Sequence, residues 1–227
     1  MDFKGAKMIL ISPQTALNLY WMGRYIQRAE SMTRLIITTF DEMLDKNALE
    51  AHELYQKMGL DLHFASPHDF LRKSLFELEY VSLITAINYA RENAILTRAS
   101  LPNRMFSRIN ALYLKYQAAK DMPNVSLFWL ESTLQELDAI WGNLDLMLIE
   151  AKETPFIKMG KVIERMDLDI RLFDCIEATL LDVEKLNIIA EQIRPNHKPF
   201  SLSTSNKLKA LQKINNFYES LALSREN

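Results

Sequence analysis

The sequence predicts an all-α fold, a bundle of about six to seven helices with an internal duplication. Three observations carry the prediction. Only 5 glycines and 7 prolines punctuate 227 residues. Apolar residues return at three- and four-residue intervals through every long segment, and no segment alternates convincingly at period two. Hydrophobic residues make up 48% of the chain and charged residues 25%, the balance of a packed protein rather than a disordered one. Residues 8–227 are expected to form a single helical domain, with Met1 to Lys7 a disordered preface.

Each helix has a start signal. Ser12-Pro13 opens the first, because serine caps free amides and proline is tolerated in the first turn. It should run to about Lys46, with Leu19, Met22, Ile26, Met32, Ile36, Phe40 and Met43 on its core side. Ser66-Pro67 opens a second, through Leu71, Leu75, Leu78, Val81, Ile84, Ile87 and Ala94 to about Thr97, before the break at Pro102. A third spans about Asn103 to Ala119. The fourth starts at Pro123-Asn124 and ends near Glu150, with Phe128, Trp129, Leu134, Leu137, Trp141, Leu144 and Leu148 inward. Thr154-Pro155 opens the fifth, to about Leu181, and Asp182 to Ile193 forms a shorter sixth. Arg194 to Pro199 is turn-rich. The seventh runs from Thr204 to Leu223, amphipathic through Leu208, Leu211, Ile214, Phe217 and Leu221.

One pattern repeats. Met22-Gly23-Arg24-Tyr25-Ile26-Gln27-Arg28-Ala29-Glu30, followed by Arg34-Leu35, returns 137 positions later as Met159-Gly160-Lys161-Val162-Ile163-Glu164-Arg165-Met166-Asp167, followed by Arg171-Leu172. The match needs no gap and keeps charged positions that helix propensity leaves free, which reads as a duplication. Helical spacing puts Gly23, Gln27, Glu30 and Arg34 in one stripe, with Arg24 and Arg28 in the adjacent row. Gly160, Glu164, Asp167 and Arg171 repeat the stripe. In both copies an acid precedes an arginine by four residues, the favourable order for an intrahelical pair. If the two helices cross, the stripes meet. They then form either structural ion pairs or a cationic pocket in which Arg24, Arg28, Lys161 and Arg165 hold a carboxylate or phosphate. A third polar stretch around Arg91, Asn93 and Arg98 suggests a buried amide with partners on the second helix.

Several function classes are disfavoured. A net charge of −2 and pI near 6.1 give no global reason to expect nucleic acid as partner, although Arg91, Arg98, Arg104 and Arg108 allow a local contact. Cys175 is the only cysteine, so neither an intrachain disulfide nor a Cys-based zinc site is expected, which favours a reducing cytoplasm. No apolar run approaches the roughly 18 residues of a spanning helix, and the start lacks the layout of a secretory leader. His52, His63, His68 and His197 lack the spacing of a metal helix, so no metal is expected. Gly-rich phosphate loops, nucleophile elbows and Glu-x-x-His pairs are missing, so no cofactor is expected.

The segment Thr15 to Glu30 closely resembles the opening of bacterial alpha-E domain proteins, helical proteins named for a recurrent Glu-Arg motif. Asn93-Ala94, Arg98 and Asn110-Ala111-Leu112-Tyr113 resemble that family's middle motifs, and Ile163 to Asp167 its second Glu-Arg helix. The chain departs at Gln27, where glutamate is usual, at Ile95, where arginine is usual, and at Arg104, Phe106 and Ser107, which replace an acidic, tryptophan-bearing segment. The resemblance implies a genomic neighbourhood of ATP-grasp peptide-ligase-like and transglutaminase-like proteins. It brings no defined reaction.

Two readings follow. The first is a non-catalytic helical binding or scaffold protein of a peptide-modifying system, with Arg24, Gln27, Arg28, Glu30, Arg34, Asn93, Arg98, Lys161, Glu164, Arg165, Asp167 and Arg171 as candidate contacts for a small anionic ligand, a peptide or a partner. The second is an enzyme of that pathway using Glu30, Glu164 and Asp167 for acid-base chemistry on an anionic peptide-like substrate. Carboxylates open to a cleft would favour the enzyme, and carboxylates fully paired within the chain the scaffold.

Overall fold

The computed structural model describes residues 11–45, 49–78, 81–122, 124–147, 151–173, 176, 179–204 and 206–223. Among these residues every regular element is helical: α1 (Pro13–Asp45), α2 (Leu49–Lys57), α3 (Pro67–Arg72), α4 (Leu83–Leu96), α5 (Asn103–Ala119), α6 (Leu127–Met147), α7 (Thr154–Phe173), α8 (Leu180–Ile193) and α9 (Lys207–Leu223). No helix among them is long and apolar enough to cross a membrane.

Two features raise the helix count above the expected six or seven. α2 is a short helix whose Ala51, Leu54 and Tyr55 are buried, too brief a periodic run to stand out in the sequence. The helix expected from Ser66 to Thr97 is interrupted. Ser66 caps α3 as expected, accepting from the Asp69 amide, but Lys73–Glu77 widens into a π-turn, Leu78 is extended (ψ 102°), and α4 restarts after Ser82. Buried positions resume beyond the bulge at Leu83, Ala86 and Ile87, so apolar spacing alone does not reveal it.

Smaller corrections concern faces and ends. Phe128 is 77% exposed and Leu208 71%. The inward face of α6 instead runs through Leu130, Thr133, Leu137, Ile140, Trp141 and Leu144. α7 is described to Phe173, and because Ile176 is a bend and the next helix opens at Leu180 it does not run on to near Leu181. Met1 to Leu10, Leu148 and Cys175 lie outside the described residues.

The buried side chains form one connected core around α1, whose 33 residues make a rod of about 50 Å. α1 packs against α7, α4, α6, α2 and α3, α7 packs in turn against α8 and α9, and α9 also reaches α1 through the Tyr218–Tyr20 ring contact. The α1–α7 crossing is set by two glycines. A Cβ on Gly23 would stand 2.2 Å from the Ile157 carbonyl oxygen, and one on Gly160 would stand 2.1 Å from that of Tyr20. Each glycine thus meets the residue three places before the other, and in both cases the obstacle is backbone, which cannot rotate away.

Gly160→Ala should therefore cost about 3 kcal/mol or more, the upper end of overpacking effects. Gly142→Ala on α6, where a Cβ would meet nothing within 4 Å, should stabilise by about 0.5–1 kcal/mol through helix propensity. Urea unfolding of both variants checks the pair; a neutral Gly160→Ala would mean the helices can separate without penalty.

Candidate functional site

One turn beyond Gly160, α7 turns Glu164 into the crossing, where it is 0% exposed. Two guanidinium groups from successive turns of α1 close on it: Arg24 Nε lies 2.7 Å from Oε2 and Arg28 Nε 2.5 Å from Oε1. Arg24 is itself only 5% exposed. It also donates to Asn215 Oδ1 on α9 at 2.8 Å. The Asn215 amide passes the network on, its Nδ2 donating to Asp167 Oδ1 at 2.6 Å, and Arg171 Nε reaches Asp167 Oδ2 at 2.5 Å. Donating one way and accepting the other fixes the orientation of that amide.

The charges suit one another. Burial is the largest single influence and works against the Arg24 cation, but the Glu164 carboxylate, Tyr20 and Asp167 together outweigh burial and hold the group above the ordinary arginine range. Burial also pushes the Tyr20 hydroxyl up to about 12, and its ring stacks on Tyr218 at 4.1 Å. Breaking such a pair on one side strands a charge, whereas the intact pair adds little net stability.

The other half of the crossing is built differently. Gln27 is 4% exposed; its Nε2 donates to Ser31 at 3.0 Å, while its buried Oε1 has no partner among the described residues. Glu30 accepts from Arg34 at 3.1 Å and from the Trp141 indole at 2.8 Å. Lys161 stands with Nζ 4.0 Å from the Trp141 ring centroid, a cation–π contact, and burial holds its amine below the ordinary lysine value against the pull of Glu30 and Asp145. Arg165 turns away to Asp182 on α8, gripping both carboxylate oxygens, with its Nε 2.6 Å from Oδ2.

Each of the four cations has a partner within the chain: Arg24 and Arg28 share Glu164, Arg165 faces Asp182, and Lys161 covers Trp141. The two intrahelical pairs expected from spacing, Glu30 with Arg34 and Asp167 with Arg171, are both present. Asn93 is not a buried amide; it is half-exposed and donates to the Tyr89 carbonyl of its own helix at 2.8 Å. Arg98 donates to Asn103 at 2.6 Å beside the Phe106 ring. Asn215 and Asp182 had no local signal, since Asn215 meets partners 191 and 48 positions away. His52 and His63, which lack metal-helix spacing in the sequence, come together with Asp61, a residue the sequence does not single out.

Fold and site together define a class: an all-helical protein whose Glu-Arg helices lock across a glycine crossing. Residues 11–206 match the model of the Alpha-E family, described as a predicted alpha-helical domain with a conserved ER motif, and the chain belongs to that family. No curated protein and no solved structure matches it.

Glu164→Gln leaves the buried Arg24 without a counter-charge and should cost about 3–5 kcal/mol, whereas Arg28→Ala, which spares the Arg24–Glu164 contact, should cost clearly less in urea unfolding. Equal losses would show that Arg24 is not the member that depends on the carboxylate.

Lys161 gives a pH test. Because its folded value is lowered, the unfolded chain binds more protons just below the ordinary lysine range of about 10.4, and stability contributed by this group rises with pH there. Subtracting the Lys161→Met profile from that of the native protein between about pH 8 and 10 should leave that rise; a flat difference would refute the shift.

Proposed function

We propose that the chain is a non-catalytic helical binding or scaffold protein serving a peptide-modifying system, with an ATP-grasp peptide-ligase-like or transglutaminase-like protein as partner. The observation that supports this most directly is that each carboxylate of the Glu-Arg crossing is engaged inside the chain: Glu164 by Arg24 and Arg28, Asp167 by Arg171 and Asn215, and Glu30 by Arg34 and Trp141. A general acid or base has to reach a substrate proton, and these groups face arginines instead. The reciprocal meeting of Gly23 and Gly160 supports reading the two helices as copies of one duplicated unit. A cytoplasmic location belongs to the same proposal and rests on the single cysteine.

The face offered to a partner lies above the crossing. Trp21 and Tyr25 stack at 5.7 Å, Tyr25 meets Tyr89 of α4 at 5.1 Å, and Arg28 and Arg91 lie over Tyr25 and Tyr113. Tyr89 is 39% exposed. Aromatic rings interleaved with arginines are the composition of interface hot spots. The enzymatic alternative, acting on an anionic peptide-like substrate, draws support from Lys161, whose lowered amine suits a base or nucleophile.

A pull-down from the native host should recover a ligase-like or transglutaminase-like protein with wild type and lose it with a folded Tyr89→Ala/Arg91→Ala variant, hot-spot truncations of this kind costing about 2 kcal/mol or more. Equal recovery by the variant would move the interface elsewhere. Loss with Lys161→Met alone would favour the enzymatic alternative, and failure of wild type to recover either class would sink the scaffold reading.

A further inference from the structure

Away from the crossing, the described residues hold one group of three side chains whose metal-ligating atoms converge: His52 on α2, with Asp61 and His63 on the segment leading to α3. The turn after α2 builds the group. Gly59 is left-handed at φ +85°, the Leu60 amide donates to the Tyr55 carbonyl at 2.8 Å, and the Gly59 amide donates to that of Gln56 at 2.8 Å. These are the two bonds of a Schellman close. A Cβ there would meet nothing within 4 Å, so the glycine serves its backbone angle and not a shortage of space.

The reversal sends the chain back beside α2. Phe64 anchors it against Tyr55 and Phe70, with ring centroids 5.6 and 5.2 Å away. Asp61 and His63, two apart in the returning segment, both reach the side of His52.

The three groups are arranged as ligands. His52 Nδ1 lies 2.7 Å from the Leu62 carbonyl oxygen, which can only accept, so Nδ1 carries a proton and in the neutral ring Nε2 is the nitrogen with the lone pair. Such a carbonyl contact is the second support that orients ligating histidines. Nε2 of His52 and Nε2 of His63 each stand 3.8 Å from the same Asp61 Oδ1, and the two imidazoles stack at 4.5 Å and 12°. All three ligand atoms lie within 4.8 Å of one another. Around tetrahedral zinc, with bonds of about 2.0–2.1 Å, ligand atoms are about 3.3 Å apart. His52 is the fixed member, 21% exposed, whereas Asp61 and His63 are 80% exposed and free to rotate inward.

We propose that His52, Asp61 and His63 form a surface site for a borderline divalent transition-metal ion, Zn²⁺ above all, which ties the returning loop to α2. Two imidazoles and one carboxylate match the donor preference of Zn²⁺ and Co²⁺ over Mg²⁺ or Ca²⁺.

The test uses the untagged full chain, freed of metal by chelator and titrated with Co²⁺ while the visible d–d absorption is followed, then with Zn²⁺ in competition. Wild type should bind one Co²⁺ saturably, surrender it to Zn²⁺, and melt at higher temperature with Zn²⁺ present. His63→Ala and Asp61→Asn, both at exposed positions, should stay folded by circular dichroism and lose affinity by more than the roughly 10–100-fold typical of second-support losses. His68→Ala, whose ring packs on Phe40 instead, should bind as wild type does. Absence of saturable binding, or unchanged binding by His63→Ala, overturns the site.

Discussion

The contact on which the rest of the structure depends is backbone against backbone, where Gly23 meets the Ile157 carbonyl and Gly160 meets that of Tyr20. Removing two side chains from a helix crossing lets the axes approach, and everything one turn away comes within hydrogen-bond reach. Glu164 follows Gly160 by four residues and Arg24 follows Gly23 by one, so the close approach delivers the carboxylate between Arg24 and Arg28. A wider crossing would leave Glu164 buried with its charge unmet, at a cost of several kcal/mol.

Glycine approach and buried ion pair are therefore one device. Dispersion and burial supply the stability, since α1 and α7 bring Met22, Ile26, Met159, Ile163 and Met166 into the same core. What the ions add is register. A helix pair sliding by one turn would keep most of its apolar contacts but separate Arg24 from Glu164, and the stranded charges would veto the slip. Asn215 extends the constraint to α9 by joining Arg24 to Asp167, and Arg165 extends it to α8 through Asp182. One polar chain aligns α1, α7 and α9, and a separate ion pair ties α8 to α7.

How much of this the sequence announces depends on distance along the chain. Pairs four residues apart, Glu30 with Arg34 and Asp167 with Arg171, are legible because helix geometry alone brings them together. Capping by Ser12 and Ser66 is legible for the same reason. The meeting of the two stripes is legible as soon as the repeat is seen, but its outcome is not, because which acid each cation takes depends on helices that arrive later, α8 with Asp182 and α9 with Asn215. Phe128 and Leu208 were misplaced because an apolar residue on a helix flank satisfies the period as well as one on its inward face. The His52 group was hidden because a Schellman turn, not a period, brings it together.

Gln27 shows why the repeat is not a symmetric site. It occupies in α1 the place that Glu164 occupies in α7, where the resemblance leads one to expect glutamate. Glutamate there would give the crossing a second carboxylate for Lys161 and Arg165, as Glu164 serves Arg24 and Arg28. With a neutral amide instead, Arg165 takes Asp182 and Lys161 settles on the Trp141 ring, and Gln27 Oε1 is left buried without a partner among the described residues. An unmet buried acceptor costs about 1–3 kcal/mol, a loss the crossing tolerates because the Glu164 half still holds the register. Locking two helices needs only one buried carboxylate, and Glu164, enclosed by Arg24 and Arg28, supplies it. The Glu164 half is the half that locks α1 to α7.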